Sequence, residues 1–502
     1  MRLYTIILLF ILLAQNTFGQ NQANKQQMHL TLNEAIQLAK LQSLSSFRSK
    51  NMYLASYWDF RSYKASQLPG LRLNTTPLNY DRSVTPQFVD GQIRYVPTET
   101  LSSDVGLSVS QNITLTGGTL GVESNVRRLE NNGTDENGAD KNTVDITSVP
   151  IRIKFSQPLT GYNKFKWESK LKPLEFEKAK KLFLSEMEAL SEKAVREFFN
   201  SVGAEIDLKI AEINLANADT LYKIGKGRFQ IGTVTQDELL DLELSYLNAK
   251  ISKTRAEVSL KQAQNRLNSF LGFDKDLKII ALIPDNIPGL KVNADEALAL
   301  AKENNPEVLD MEARLIRANH NVAEKKGTSG LSADLRANLG INKQADNITD
   351  VYNAPFSDDR GLGVTLNAPI LDWGTRRGQI QMAKSNRQVT EAEVKQALID
   401  FEQDVIMQIL QFNLQEELVN ISAKADTVAQ LGYNVTKQRF MIDKVDVIKL
   451  NAAQKSLDDA KRSYINALSD YWRGYYTIRQ ITLFDFERKE TLIKSLDYLL
   501  EQ

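Results

Sequence analysis

LNAAQKSLDDAKRSYINALSDYWRGYYTIRQI, residues 450–481, sets apolar or small side chains at Leu450, Ala453, Leu457, Ala460, Tyr464, Ala467, Tyr471, Gly474, Ile478 and Ile481. Steps of three and four residues alternate along it, which is the seam of a heptad coiled-coil helix. Large residues mostly alternate with small ones, so partner helices can approach closely, and a seven-residue period imposes a left-handed supercoil. The same seam runs earlier in the chain through Leu239, Leu242, Tyr246, Ala249, Lys253, Ala256, Leu260, Ala263, Leu267 and Phe270. The chain holds two copies of one coiled-coil unit.

Pro158 aligns with Pro369 at an offset of 211, and that offset holds to the end of each seam. Tyr222, Lys226, Arg228, Phe229 and Val234 fall on Tyr433, Lys437, Arg439, Phe440 and Val445. Upstream, Leu30–Lys40 resembles Val292–Lys302 at an offset of 262, so the first half carries about 50 extra residues. Two copies are too few for a solenoid, and a subunit that closes by oligomerising fits better. We divide the chain into a signal segment (1–19), a first repeat (20–290) and a second repeat (291–502) with a C-terminal segment.

Sixty-two basic and 62 acidic side chains give no overall bias toward nucleic acid or an anionic surface. Arg2, the apolar run Leu3–Leu13 and the small residues Thr17 and Gly19 read as a secretory signal cut before Gln20. That run is too short to span a bilayer of about 30 Å as a helix. The chain has no cysteine, so disulfides and N-terminal cysteine acylation are excluded and a lipoprotein is not expected. His29 and His320 are the only imidazoles and read as ordinary helix-surface residues, with no metal-ligand spacing. With no nucleophile elbow, zinc-binding pair or phosphate-binding Gly-rich loop, the sequence predicts neither an enzyme nor a cofactor.

A helix of about thirty residues is predicted to run to near Gln67, where Pro69-Gly70 stops it. The period then changes to two. Leu71 and Leu73 alternate with Arg72 and Asn74; Val105, Leu107, Val109, Ile113 and Leu115 share a face; so do Val149, Ile151, Ile153 and Phe155. The second half repeats this with Leu335, Ala337, Leu339 and Ile341, and with Leu362, Val364, Leu366 and Ala368. Each segment is about the 9–11 residues of a tilted membrane strand, apolar toward lipid and polar toward a lumen. A half-buried strand of a soluble sheet has the same pattern, but the charged faces (Arg72, Arg152, Lys154, Arg336) and the flanking long helices favour the membrane.

Only closed barrels let strands cross lipid, and the smallest have about eight strands, whereas this chain offers four to six. A barrel must be shared: four strands from each of three chains would make twelve. Asn131–Asn142 and Asn342–Asp359 read as exposed loops. The stretch from Thr100 to Arg128 has no partner in the second half and either adds a hairpin to the wall or projects outward. From Lys164 to Lys223 the sequence predicts one helix of roughly 60 residues, about 90 Å long. Phe273–Asn293, with Pro284 and Pro288, reads as a connecting strand and loop.

Three motifs in this order, present twice, resemble the TolC family of outer-membrane efflux channels. They are SQPLTGY (Ser156–Tyr162) with NAPILDWG (Asn367–Gly374); the tip turn Arg228, Phe229, Gly232, echoed as Arg439, Phe440, Asp443; and seam alanines at Ala249, Ala256, Ala453, Ala460 and Ala467. The resemblance implies an α+β membrane protein: a homotrimer with a 12-stranded transmembrane β-barrel, continued by a long α-helical coiled-coil barrel with an equatorial belt. It implies a passive exit duct spanning the Gram-negative outer membrane and periplasm. That duct would be gated at the helical tips by a periplasmic adaptor and an inner-membrane transporter of RND or ABC type.

Tyr162 and Trp373 match the family's membrane-edge aromatics, and packing at the strand-to-helix turn is an equal alternative. At the tip, Asp446 matches the first position of an acidic ring, but Lys449 stands at the second, and Asp237 and Glu238 would restore negative charge. A solvated helix surface is the alternative for these residues. Arg228 and Arg439 are expected to stabilise the turns. The competing reading of the chain is an exported structural or adhesive coiled-coil protein, which explains the helices and not the paired strand clusters.

Overall fold

The computed structural model describes residues 27–89, 92–134, 140–274, 277–284, 287–442 and 444–493, with Leu496 and Leu499. The expected signal segment and Asp443 lie outside the described residues. The internal repeat is visible in helix lengths. Helices α1 (Leu32–Gln42, 11 residues) and α2 (Leu44–Ser66, 23 residues) precede strands; α3 (Lys164–Gln230, 67 residues) and α4 (Gln236–Leu271, 36 residues) follow them. The second half reproduces the series as α5 (Ala294–Asn304, 11 residues), α6 (Pro306–Thr328, 23 residues), α8 (Thr375–Met441, 67 residues) and α9 (Val447–Thr482, 36 residues). A short helix, α7 (Ile348–Asn353), and the chain's strands complete the architecture.

The single helix expected up to Gln67 is two. Ser43 leaves the helical region at φ −68°, ψ 146°, and its hydroxyl accepts from Ser46 N at 3.1 Å, so it starts α2. Both seams are real: every one of their twenty positions is buried or half-buried. At Gly474 the reason for a small residue is direct, because a Cβ there would stand 3.0 Å from the Phe412 ring.

Two units make up the chain. The first contains Met1–Met52, Lys181–Asn305 and Glu402–Gln502. Its core includes Phe198, Leu267, Leu271, Ile409, Leu468 and Tyr471, each 1% exposed or less. Here strand β1 (Gln27–Thr31) pairs in parallel with β6 (Lys278–Leu282), so His29 lies on a strand and not on a helix. Asn413 exchanges two hydrogen bonds of 2.9 Å with the Val292 backbone, and Asn304 and Asn305 donate to the Thr482 and Ile481 carbonyls.

Glu188, 5% exposed, is the centre of a buried ionic network: Lys40 Nζ and Arg479 Nε each reach it at 2.8 Å, and Arg479 also pairs with Asp485. Burial pushes the Asp485 carboxyl up, but the Arg488 N–H, the Arg479 guanidinium and the Tyr475 hydroxyl outweigh it and hold the group below its ordinary 3.8. Its folded value lies below the unfolded one, so this stabilisation is present above about pH 4 and is lost as pH falls through the folded value.

The second unit, Tyr53–Lys180 with Pro306–Phe401, holds one antiparallel sheet. Strands β2 (Gly70–Val89), β3 (Gln92–Ile113), β4 (Gly118–Thr134), β5 (Asp140–Thr160), β7 (Ser332–Ala345) and β8 (Ser357–Asn367) lie in that order. The four strands of the first half are 17–22 residues long, about twice what a bilayer crossing needs. The predicted loop Asn342–Asp359 is ordered into the end of β7, α7 and the start of β8, because Asn347 caps α7. Leu115 belongs to the β3–β4 turn rather than to a strand, and Ala368 lies past the end of β8.

Apolar residues face each other at every step of the sheet, Leu73 with Leu107, Val109 with Val122, Val122 with Ile153, Ile153 with Leu339 and Ala337 with Leu362, and toward the far end of β7 the facing residues turn polar, Leu339 with Arg360 and Ile341 with Asp358. Cross-strand neighbours share a face, so one face is apolar on all six strands, and it is solvent-exposed, Leu71 at 69% and Leu362 at 78%. The opposite face carries Arg72, Glu123, Arg152, Lys154 and Arg336. A bulge at Pro150 corrects one expectation: Val149 faces Asn125 and is 4% exposed, so it has crossed to the polar side from Ile151.

Removing the carboxylate of Glu188 strands buried cations, so Glu188→Ala should cost about 3 kcal/mol. A lower thermal midpoint of the helical circular-dichroism signal in detergent is the expected result, and an unchanged midpoint would show that the network adds nothing.

Candidate functional site

Each repeat ends its long helix in a tight turn. Arg228 and Phe229 form the last turn of α3; the Arg228 carbonyl accepts from both Thr233 N (3.0 Å) and Thr233 Oγ1 (3.1 Å), and Gly232 N reaches Phe229 O at 3.0 Å. Gly232 sits at φ +76°, where a side chain is strained. In the second repeat Lys444 N closes on the Arg439 carbonyl at 2.9 Å, so the two arginine positions play the same backbone role.

The acidic residues of the tips are engaged locally. Thr235 and Glu238 form a reciprocal capping box at the start of α4 (2.9 and 3.4 Å), and the Thr235 hydroxyl holds the Asp237 carboxyl below its ordinary range. Asp446 caps α9 by accepting from Lys449 N at 2.8 Å, so the aspartate expected in a ring serves first as a helix terminus. Apolar side chains surround these caps in the open: Phe229 at 41%, Ile231 at 74%, Met441 at 67%, Ile442 at 61% and Ile448 at 77% exposure.

Just inside the tips, polar groups bridge helices of the two repeats. Asn214 of α3 donates to Asp458 of α9 at 2.9 Å, and Asn217 of α3 donates to the Tyr433 hydroxyl of α8 at 2.9 Å. Gln454 donates to Asp458 at 2.8 Å, and Arg462 of α9 pairs with Asp207 of α3 at 2.6 Å. Below this row Tyr433, Leu450 and Leu457 form an apolar cluster against Leu221 and Phe440. Asp458 is 7% exposed, so its bonds are made in a low-dielectric setting and their loss would leave buried polar groups unsatisfied.

At the strand-to-helix junctions the two predicted aromatics differ. Tyr162 stacks on His320 at 5.3 Å and shares a hydrogen bond with its Nε2; Trp167 also stacks on the imidazole at 5.5 Å. His320 is therefore a packed link in an aromatic cluster and not a plain helix-surface residue. Gly161 (φ +128°) and Gly327 permit this approach, since a Cβ on Gly327 would stand 2.6 Å from Tyr162 N. Trp373, at φ +51°, is 89% exposed beside Ile370 at 99% and Leu371 at 68%.

Residues 297–482 match the family described as outer membrane efflux protein. That match spans the second repeat from α5 to the end of α9. The Campylobacter jejuni CmeC outer membrane channel shares its fold with a TM-score of 0.63 at 14% identity, covering 94% of this chain and 88% of CmeC. CusC, whose structures concern transmembrane channel formation, gives 0.61 at 14% over 93% and 95%, and the outer membrane protein VceC of Vibrio cholerae gives 0.61 at 13% over 90% and 95%. No curated protein matches in sequence. Among the described residues no group of acidic and imidazole side chains could hold a metal ion.

The bridging row of Asn214, Asn217, Gln454 and Asp458 carries no motif that marks it in the sequence. Gln454 and Asp458 flank seam residues Ala453 and Leu457, so their position beside the seam was the available signal. Capping also makes a separable prediction at the tip. Asp446→Ala should lose about 1 kcal/mol of local helix stability and speed amide exchange in the first turn of α9 roughly fivefold, whereas Asp446→Asn should keep the cap. Equal exchange in both variants would mean that the cap contributes nothing.

Proposed function

We propose that this chain is the outer-membrane duct of a tripartite exporter, assembled as a homotrimer. The observation that carries this is the six-stranded sheet whose apolar face stays exposed across every strand. No described helix is long and apolar enough to cross a membrane, and a sheet can do so only when its edges are closed on further strands. Lipid takes the apolar face, and the charged face lines water.

The helices support assembly independently. Beyond the buried seams, α4 exposes Leu240, Leu244, Leu247, Ile251 and Val258, and α8 exposes Met407, Leu410, Leu414, Ile421, Val428, Leu431 and Val435, each 47–61% accessible. These are second heptad stripes, and they need a partner helix. Neighbouring copies supply it, so the helices assemble between copies as a periplasmic coiled coil.

The tips are the gate. To open, α8 and α9 move from α3 and α4, breaking the Asn214–Asp458, Asn217–Tyr433 and Arg462–Asp207 bonds. A periplasmic adaptor drives this by seating on the exposed Phe229, Ile231, Met441, Ile442 and Ile448, and an inner-membrane transporter provides the energy. Arg228, Gly232 and Arg439 keep the turns in shape for docking, while Asp237, Glu238, Asp446 and Lys449 set helix ends and local charge.

Purified protein in planar bilayers should form low-conductance channels, and the double variant Asn217→Ala/Asp458→Ala should raise that conductance several-fold. Failure of both proteins to conduct would contradict the duct, and an unchanged conductance in the variant would contradict the latch.

A further inference from the structure

The Thr100–Arg128 segment, which has no counterpart in the second repeat, forms most of β3 and β4 in the interior of the ladder. Its turn is fastened from both sides. Gln111 Nε2 donates to Gln67 O at 2.6 Å, Asn163 Nδ2 to Thr114 O at 3.0 Å, and Gln157 both donates to Thr116 O (2.9 Å) and accepts from Thr116 Oγ1 (2.7 Å). The strands also pack too closely for casual contact: a Cβ on Gly106 would meet Asn125 Cβ at 2.8 Å. Leu107 and Val109 of β3 and Val122 of β4 continue the apolar face, so the hairpin has the chemistry of wall and not of a plug or an outer loop.

We infer that all six strands of each copy belong to the barrel wall, with β2 of one copy pairing with β8 of the next. This rests on the trimeric duct proposed above and changes its bore. Five antiparallel steps separate β2 from β8, so the two edges run in opposite directions and can close as a further antiparallel pair. Three sheets of six strands make eighteen. At a strand spacing of 4.8 Å and a tilt near 40°, the backbone diameter becomes about 36 Å, against about 24 Å for twelve strands. Eighteen strands are on the scale of porins, which keep an open aqueous lumen. The lumen face would carry three copies of one ionic row in which Glu123 bridges Arg152 and Lys154 (3.1 and 2.7 Å) and Arg152 reaches Asp359 at 2.6 Å.

The natural absence of cysteine makes disulfide trapping direct. Asn74→Cys or Thr76→Cys in β2 is combined with Gly363→Cys or Thr365→Cys in β8; Gly363 has open space where a Cβ would stand. Each variant is first shown to be a trimer in detergent, then oxidised in isolated outer membranes. The inference expects covalent dimers and trimers from at least one β2–β8 pair. A trimer in which no β2–β8 pair links, while Gly363→Cys links to Gly121→Cys of β4, would overturn it and restore twelve strands. Absence of any trimer overturns the duct itself, an outcome read from the mass measurement before oxidation.

Discussion

An apolar sheet face with two open edges is stable neither in water nor in lipid. In water the face on all six strands would remain wet; in lipid each unpaired N–H and C=O of β2 and β8 would cost several kcal/mol. Pairing edge to edge with other copies answers both demands at once. The exposed heptad stripes on α4 and α8 impose the same requirement on the helical part, so two unlike surfaces call for the same closed oligomer.

Within one copy the duplicated sequence gives matching helices of 11, 23, 67 and 36 residues, yet the two halves are not interchangeable. Tyr162 is packed against His320 where Trp373 is open, and the first half carries the additional hairpin. Buried charge is unevenly distributed as well. Around Glu188 a buried ionic network joins the end of α9 to α1 and α3, and nearer the tips the bridges are mostly amide and hydroxyl hydrogen bonds.

Much of this was legible in the sequence because it depends on local periodicity. All twenty seam positions are covered, and the strand alternation, the tip turns and the helix starts follow rules that act within a few residues. What stayed hidden depends on contacts distant in sequence. Glu188 meets Lys40 across 148 positions and Arg479 across 291, and no local pattern marks such a pair. The Pro150 bulge reversed Val149 because a strand's period fixes faces only while the ladder stays in register. The place of the extra hairpin was undecided for the same reason: Gln111, Gln157 and Asn163 anchor its turn, and nothing in their spacing announces it.

Site-directed spin labelling along β5 tests the central claim most directly, using single cysteines at residues 151–156 in liposome-reconstituted protein. The account predicts that labels at Ile151, Ile153 and Phe155 are relaxed by lipid-soluble oxygen, and those at Arg152, Lys154 and Ser156 by a water-soluble nickel complex. Uniform access of the nickel complex to all six positions would contradict a membrane wall.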